Sequence, residues 1–159
     1  MKKVLFVCLG NICRSPTAHG VFEKKVQDRK LQSQLSCDSA GTASYHTGEL
    51  PDPRSREHAQ HRGYLLSSRA RSFDPMKDFE DFDLILTMDE SNKKNVLAHA
   101  DTEEKQAKVR PFVEFCHNHL VREVPDPYYK GDAGFEEVLD IIEDGCENLI
   151  SHLLTMSKA

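Results

Sequence analysis

A short apolar run leading straight into a loop that holds cysteine and arginine constrains this chain more than any other feature. Val4-Leu5-Phe6-Val7 is continuous in its hydrophobicity and rich in strand formers, the pattern of a strand buried on both faces. Cys8 to Arg14 follows. Ser15-Pro16 then reads as a helix start, with serine at the cap and proline at the first helical position. Ala18, Val21, Phe22 and Val26 recur at helical spacing as far as Arg29-Lys30. A strand with no wet face needs a layer on each side, so the opening residues already call for an α/β architecture.

The rest of the chain repeats the alternation. Leu35 to Ala40 suits a second strand, and Gly41 opens a long loop through Pro51-Asp52-Pro53. Arg54 to Arg62 looks helical, with Gly63 as its stop. Asp83 to Met88 is another buried run, followed by a helix over about Glu90 to Ala98, and Val109 to Val113 is a weaker strand. Phe135, Val138, Leu139, Ile142, Cys146, Leu149, Ile150 and Leu153 form an apolar stripe of 3.6-residue period. The expectation is one three-layer α/β domain over residues 1–159, with a mostly parallel four-stranded sheet and helices on both faces. Ligands of such sheets bind beyond the carboxyl ends of the strands, where Cys8 to Arg14 lies.

That loop has the makings of an anion site. A turn from a buried strand into a helix brings backbone N–H groups and the positive end of the helix dipole to one spot. Gly10 and Asn11 tolerate the positive φ angles a nest of amides requires, and Arg14 adds a planar fork suited to two phosphate oxygens. Helix N-termini and cations favour the thiolate form of a cysteine, and the Ser15 hydroxyl is placed to donate to Cys8. Nucleophile and oxyanion cradle are offered together. A loop cradling flavin phosphate favours hydroxyl residues and needs neither Cys nor Arg, and no G-x-x-x-x-G-K-[ST] pattern is present.

Composition narrows the compartment and the partners. A net charge of −5 argues against nucleic acid, whose phosphates are held by basic surfaces. The apolar run after Lys2-Lys3 stops at Gly10-Asn11, too short for a secretory signal or for membrane insertion. Five cysteines, odd in number and mostly far apart, favour reduced thiols in the cytoplasm over a disulfide framework.

The run C-L-G-N-I-C-R-S-P at residues 8–16 resembles the signature loop of the low-molecular-weight protein tyrosine phosphatases. Ser39-Ala40-Gly41-Thr42, Gly48 to Arg54, Leu86-Thr87-Met88-Asp89 and Asp126-Pro127-Tyr128-Tyr129 follow in the order and spacing of that family. The resemblance implies a cysteinyl-phosphate intermediate on Cys8 and hydrolysis of phosphotyrosine in proteins or peptides, releasing inorganic phosphate. Arg14 and the loop from Leu9 through Gly10, Asn11, Ile12 and Cys13 to Ser15 hold the phosphate. Among 26 acidic residues it singles out Asp126 as general acid and then base. Tyr45, Tyr128 and Tyr129 become pocket walls, with Leu9 and Ile12 on the floor and side. Asn11 braces the loop together with Ser15 and Ser39, and neither metal nor cofactor is required. Two departures stand out: Tyr45 occupies a position where many relatives carry Trp, and Ser68 one where several carry a bracing His. The resemblance also implies a protective Cys8–Cys13 disulfide under oxidation; the plainer role of Cys13 is loop packing. His117 and His119 read as solvated surface residues.

Three rival readings are weaker. Thioredoxin-coupled arsenate reductases need a further cysteine pair, and residues 73–100 hold no cysteine. Protein arginine phosphatases typically place Thr where this chain has Ile12 and lack the double Tyr. A catalytically silent phosphotyrosine-binding module has no use for Cys8, Arg14 and Asp126 together.

Overall fold

A computed structural model describes residues 1–157. Its sheet is built from β1 (Lys2–Cys8), β2 (Leu35–Gly41), β3 (Leu84–Thr87) and β4 (Val109–Pro111). All neighbours run parallel, in the order β2-β1-β3-β4. The chain therefore leaves β1 towards one edge and returns past it to the other, so the two crossovers diverge at the carboxyl end of β1. That divergence opens a crevice at a topological switch point.

The period-two geometry of β1 divides its side chains between two cores. Val4, Phe6 and Cys8 face a cluster made with α1 (Arg14–Asp28) and α6 (Gly131–Ser157). Leu5 and Val7 face a second cluster that includes Phe79, Phe82, Val96 and Ala100, from or beside α3 (Pro75–Asp81) and α4 (Glu90–Leu97). Helices on both sheet faces make the three layers that the unbroken apolar run demands. The remaining helices are α2 (Pro53–His61), α5 (Glu103–Lys108) and a 3-10 turn over Phe112–Phe115. No helix among the described residues is long and apolar enough to cross a membrane.

Four local differences from the sequence reading have physical causes. α1 begins at Arg14 with Cys13 at the cap position and no side-chain cap, because the Ser15 hydroxyl is drawn to Cys8 and Asn11 instead. β4 ends at Pro111, which has no N–H to extend the ladder, and the chain turns at once into the 3-10 segment. α3 was not expected from the sequence, although Asp74 caps it by accepting from Met76 N and Pro75 starts it. α5, capped by Thr102, was not expected either, since it buries no residue and so shows no apolar stripe.

Close approach matters at Gly145 in α6. A Cβ there would lie 2.4 Å from ring atoms of Phe112, which is fully buried and packs edge-on to Phe6 at 6.1 Å. Gly145→Ala is expected to lower unfolding free energy by about 1–3 kcal/mol, the usual cost of overpacking. An unchanged denaturation midpoint would mean that Phe112 gives way freely.

Candidate active site

The Cys8–Arg14 loop is held from outside by its carbonyls. The carbonyls of Cys8, Leu9 and Ile12 accept from Thr42 N, Ala43 N and Asp52 N at 2.8–2.9 Å. Among the described residues no backbone carbonyl takes the N–H groups of residues 9–13. These amides, with the uncapped N-terminus of α1, make a set of donors of the kind that receives an anion.

Asn11 is the loop's internal strut. It is 2% exposed and adopts φ 58°, a left-handed conformation that Asn tolerates better than most residues. Its Oδ1 accepts from Arg71 N at 3.0 Å, which orients the amide so that Nδ2 donates to Ser15 Oγ at 2.7 Å. With an oxygen lone pair of Ser15 so occupied, and Ala40 O at a limiting 3.5 Å, the hydroxyl hydrogen is free to point at Cys8 Sγ, 3.0 Å away. Gly10 has a different role from the one expected. It is not left-handed, but a Cβ on it would meet the His46 ring at 3.1 Å.

Arg14 is almost fully buried, and the Asp89 carboxylate fixes it. Asp89 divides its oxygens: Oδ1 caps α4 by accepting from Asn92 N at 2.8 Å, and Oδ2 takes Arg14 Nη1 at 2.7 Å. Val124 O also accepts from Nη1, at 3.0 Å. Among the described residues both partners are reached through this one nitrogen, leaving the Nε–Nη2 edge of the fork for a ligand. Burial works against the guanidinium charge, but Cys8 and Asp89 outweigh it and hold its pKa above the usual value. Burial, only partly offset by a hydrogen bond with Ser55, pushes the Cys13 thiol up to about 12.

One cavity of about 250 Å³ brings together Cys8, Leu9, Gly10, Ile12, Cys13, Arg14, Tyr45, Asp126, Tyr128 and Tyr129, with His46. Tyr128 forms the firmest wall. Arg54 stacks over its ring at 4.9 Å and over Phe135 at 4.8 Å, and donates to Tyr128 O at 2.9 Å, while Asp52 holds the guanidinium from below. Tyr129 meets the Tyr128 ring edge-on and is 92% exposed; Tyr45 is 78% exposed. These two stand at the rim. Asp126 is exposed and accepts from Tyr128 N through Oδ1 at 3.1 Å. The Ser39 hydroxyl pairs with His19 Nδ1 at 3.1 Å rather than with Asn11, and Ser68 borders a small cavity beside His19. His46 and His19 escaped sequence reasoning, and Asp89 was noted only within the Leu86–Asp89 motif, without its role of holding Arg14 and capping α4.

Fold and site define a class: parallel α/β proteins with a C-x5-R anion loop at the carboxyl edge of the first strand. Within it, the chain belongs to the low molecular weight phosphotyrosine protein phosphatase family, whose model matches residues 3–158. A protein tyrosine phosphatase of Entamoeba histolytica superposes with a TM-score of 0.93 at 45% identity, with 100% of each chain covered. A low molecular weight protein-tyrosine-phosphatase of Streptomyces coelicolor is 39% identical over 94% of this chain and 92% of its own. A structure described as a drosophila arginine phosphatase superposes with a TM-score of 0.87 at 32% identity, covering 96% of this chain and 97% of its own.

Proposed function

We propose that this protein hydrolyses phosphotyrosine in proteins or peptides through a phosphate ester on Cys8. The observation that carries the reading is the Cys8 sulfur, 3.0 Å from the Ser15 hydroxyl, in a cavity that also holds Arg14 and Asp126. The thiolate attacks phosphorus as the aryl P–O bond breaks, and protonated Asp126 delivers its proton to the departing phenol oxygen. Oδ1 is engaged by Tyr128 N, so Oδ2 is the oxygen positioned to carry that proton. In the second half Asp126 takes a proton from water, the water oxygen bonds to phosphorus, and the P–S bond breaks to return the thiolate and inorganic phosphate. Arg14 and the loop amides carry the transition-state charge, worth several kcal/mol when such donors are preorganised. Residues 1–159 act as one domain in this reading. The five free cysteines support work in a reducing compartment, the cytoplasm.

Selectivity follows from depth. Phosphate on the loop lies below the Tyr128 wall and the Tyr45 rim, so a flat, long side chain reaches it from a peptide backbone, and phosphoserine or phosphothreonine does not. Phosphoarginine is long enough, but Ile12 offers it no polar partner. Catalytic efficiencies on matched phosphotyrosine, phosphoserine and phosphoarginine peptides test the assignment, with phosphotyrosine expected to lead. If phosphoarginine leads, the chemistry stands and the target changes.

Tyr128→Ala should raise KM for phosphotyrosine peptides roughly two- to tenfold, since an aromatic pair is worth about 0.5–1.5 kcal/mol. Inhibition by inorganic phosphate should stay the same, because phosphate touches the loop and not the wall. Equal weakening of both ligands would remove Tyr128 from the wall.

A further inference from the structure

Outside the set of residues that line the phosphate cavity, α1 places His19 and Glu23 one turn apart, with Cys37 of β2 beside them. One nitrogen of His19, a carboxylate oxygen of Glu23 and the Cys37 sulfur all lie within 4.8 Å of one another. His19 Nε2 meets Glu23 Oε1 at 2.5 Å, and Nδ1 meets Ser39 Oγ at 3.1 Å with Asp38 Oδ1 3.9 Å away. Among the described residues the Cys37 sulfur hydrogen-bonds only to the His19 carbonyl, at 3.6 Å.

We propose that His19 Nε2, the Glu23 carboxylate and Cys37 Sγ bind a zinc-class divalent cation, at a site separate from the phosphate cradle. The donor set selects the ion: nitrogen, oxygen and thiolate together suit zinc, whereas calcium and magnesium take oxygen alone. The imidazole is already held as a ligand needs to be. Its Nδ1 is tied to a buried hydroxyl with a carboxylate behind it, the outer partners that fix tautomer and ring orientation at zinc histidines. Zinc bonds of about 2.0–2.3 Å put neighbouring donors about 3–4 Å apart, so the trio must adjust by a side-chain rotation. Glu23, whose side chain is 52% exposed, is free to make it.

A cavity of about 10 Å³ borders His19, Glu23 and Ser68 but not Cys37, at the lower limit for a single water. The ion takes the place of the proton between Nε2 and Oε1, and the Cys37 thiol proton leaves to solvent. Burial and the Glu23 charge push that thiol well up in the free protein, and a dication bound between the two groups reverses the second influence. Occupancy ties α1 to β2. These elements flank the Cys8 loop, one continuing from Arg14 and the other leading into the Thr42 amide that holds Cys8 O, so metal should raise the melting temperature.

The test uses the reduced full chain carrying Cys8→Ser, which removes the competing active-site thiol, titrated with Co²⁺ and then displaced by Zn²⁺. The expected result is one Co²⁺ per chain, a thiolate-to-cobalt absorption band, and visible bands of tetrahedral strength. Adding Cys37→Ser should abolish the thiolate band, and adding Glu23→Gln, on a half-exposed side chain that leaves the fold intact, should weaken Co²⁺ binding about tenfold or more. A thiolate band that survives Cys37→Ser, affinity unchanged by Glu23→Gln, or no stoichiometric binding would each overturn the site.

Discussion

Cys8→Ser is expected to abolish phosphatase turnover while leaving the fold and the binding of phosphate or its oxyanion analogues in place. The sulfur is the only atom the substitution replaces, and its neighbours are secured independently. Ser15 is held by Asn11, Asn11 by the Arg71 amide, and Arg14 by Asp89 and Val124. The cradle therefore survives without the nucleophile. Among the described residues the side chain at position 8 is hydrogen-bonded only to the Ser15 hydroxyl, which is no base, and Asp126 enters the first step protonated. A serine there therefore does not form the corresponding ester at a useful rate. Steady-state assay with an aryl phosphate, paired with calorimetric titration of an oxyanion, separates the two functions. Appreciable turnover in the variant would sink the mechanism; loss of both binding and activity would show instead that the sulfur helps to shape the loop.

Asp126→Ala should cost roughly 10²–10⁴-fold in kcat with poor leaving groups, the usual range for general acid catalysis. The loss should shrink steadily as the phenol becomes more acidic, because a good leaving group departs without a proton. This dependence is the informative part, since Asp126 also accepts the Tyr128 amide at 3.1 Å and its removal will loosen that wall. A disturbed wall weakens all aryl substrates alike, whereas a missing acid is felt in proportion to leaving-group pKa. A flat loss across a series of substituted phenyl phosphates would strip Asp126 of the proton-transfer role and leave it a positioning one.

The sequence reading succeeded where the physics is local. Val4 to Val7 announces a doubly buried strand because its two alternating faces are both apolar, and the helical stripe from Phe135 to Leu153 announces α6 in the same way. Short elements were harder. α5 has no buried residue, so nothing periodic marks it, and α3 is seven residues long, too short for periodicity to speak. The cap of α1 misled for a reason tied to the site. Ser-Pro is a good helix start in isolation, yet here Ser15 serves Cys8 and the first amides of the helix stay uncapped.

Arg14 shows most clearly what lies beyond sequence reasoning. Any of the 26 acidic residues might have been its partner, and it is Asp89 because strand order β2-β1-β3-β4 sets β3 directly beside β1, so the residues that follow each strand converge on one edge. In the same way His19 meets Ser39 and Cys37 only because α1 packs over β2. Spacing along the chain is enough to assemble a thiol, a run of amides and a guanidinium within seven residues, since a strand, a tight turn and a helix start confine them to one place. Partners drawn from distant segments depend on which strands are neighbours, and that is decided by how the two faces of the sheet bury their side chains, a property of the whole chain that no single stretch encodes.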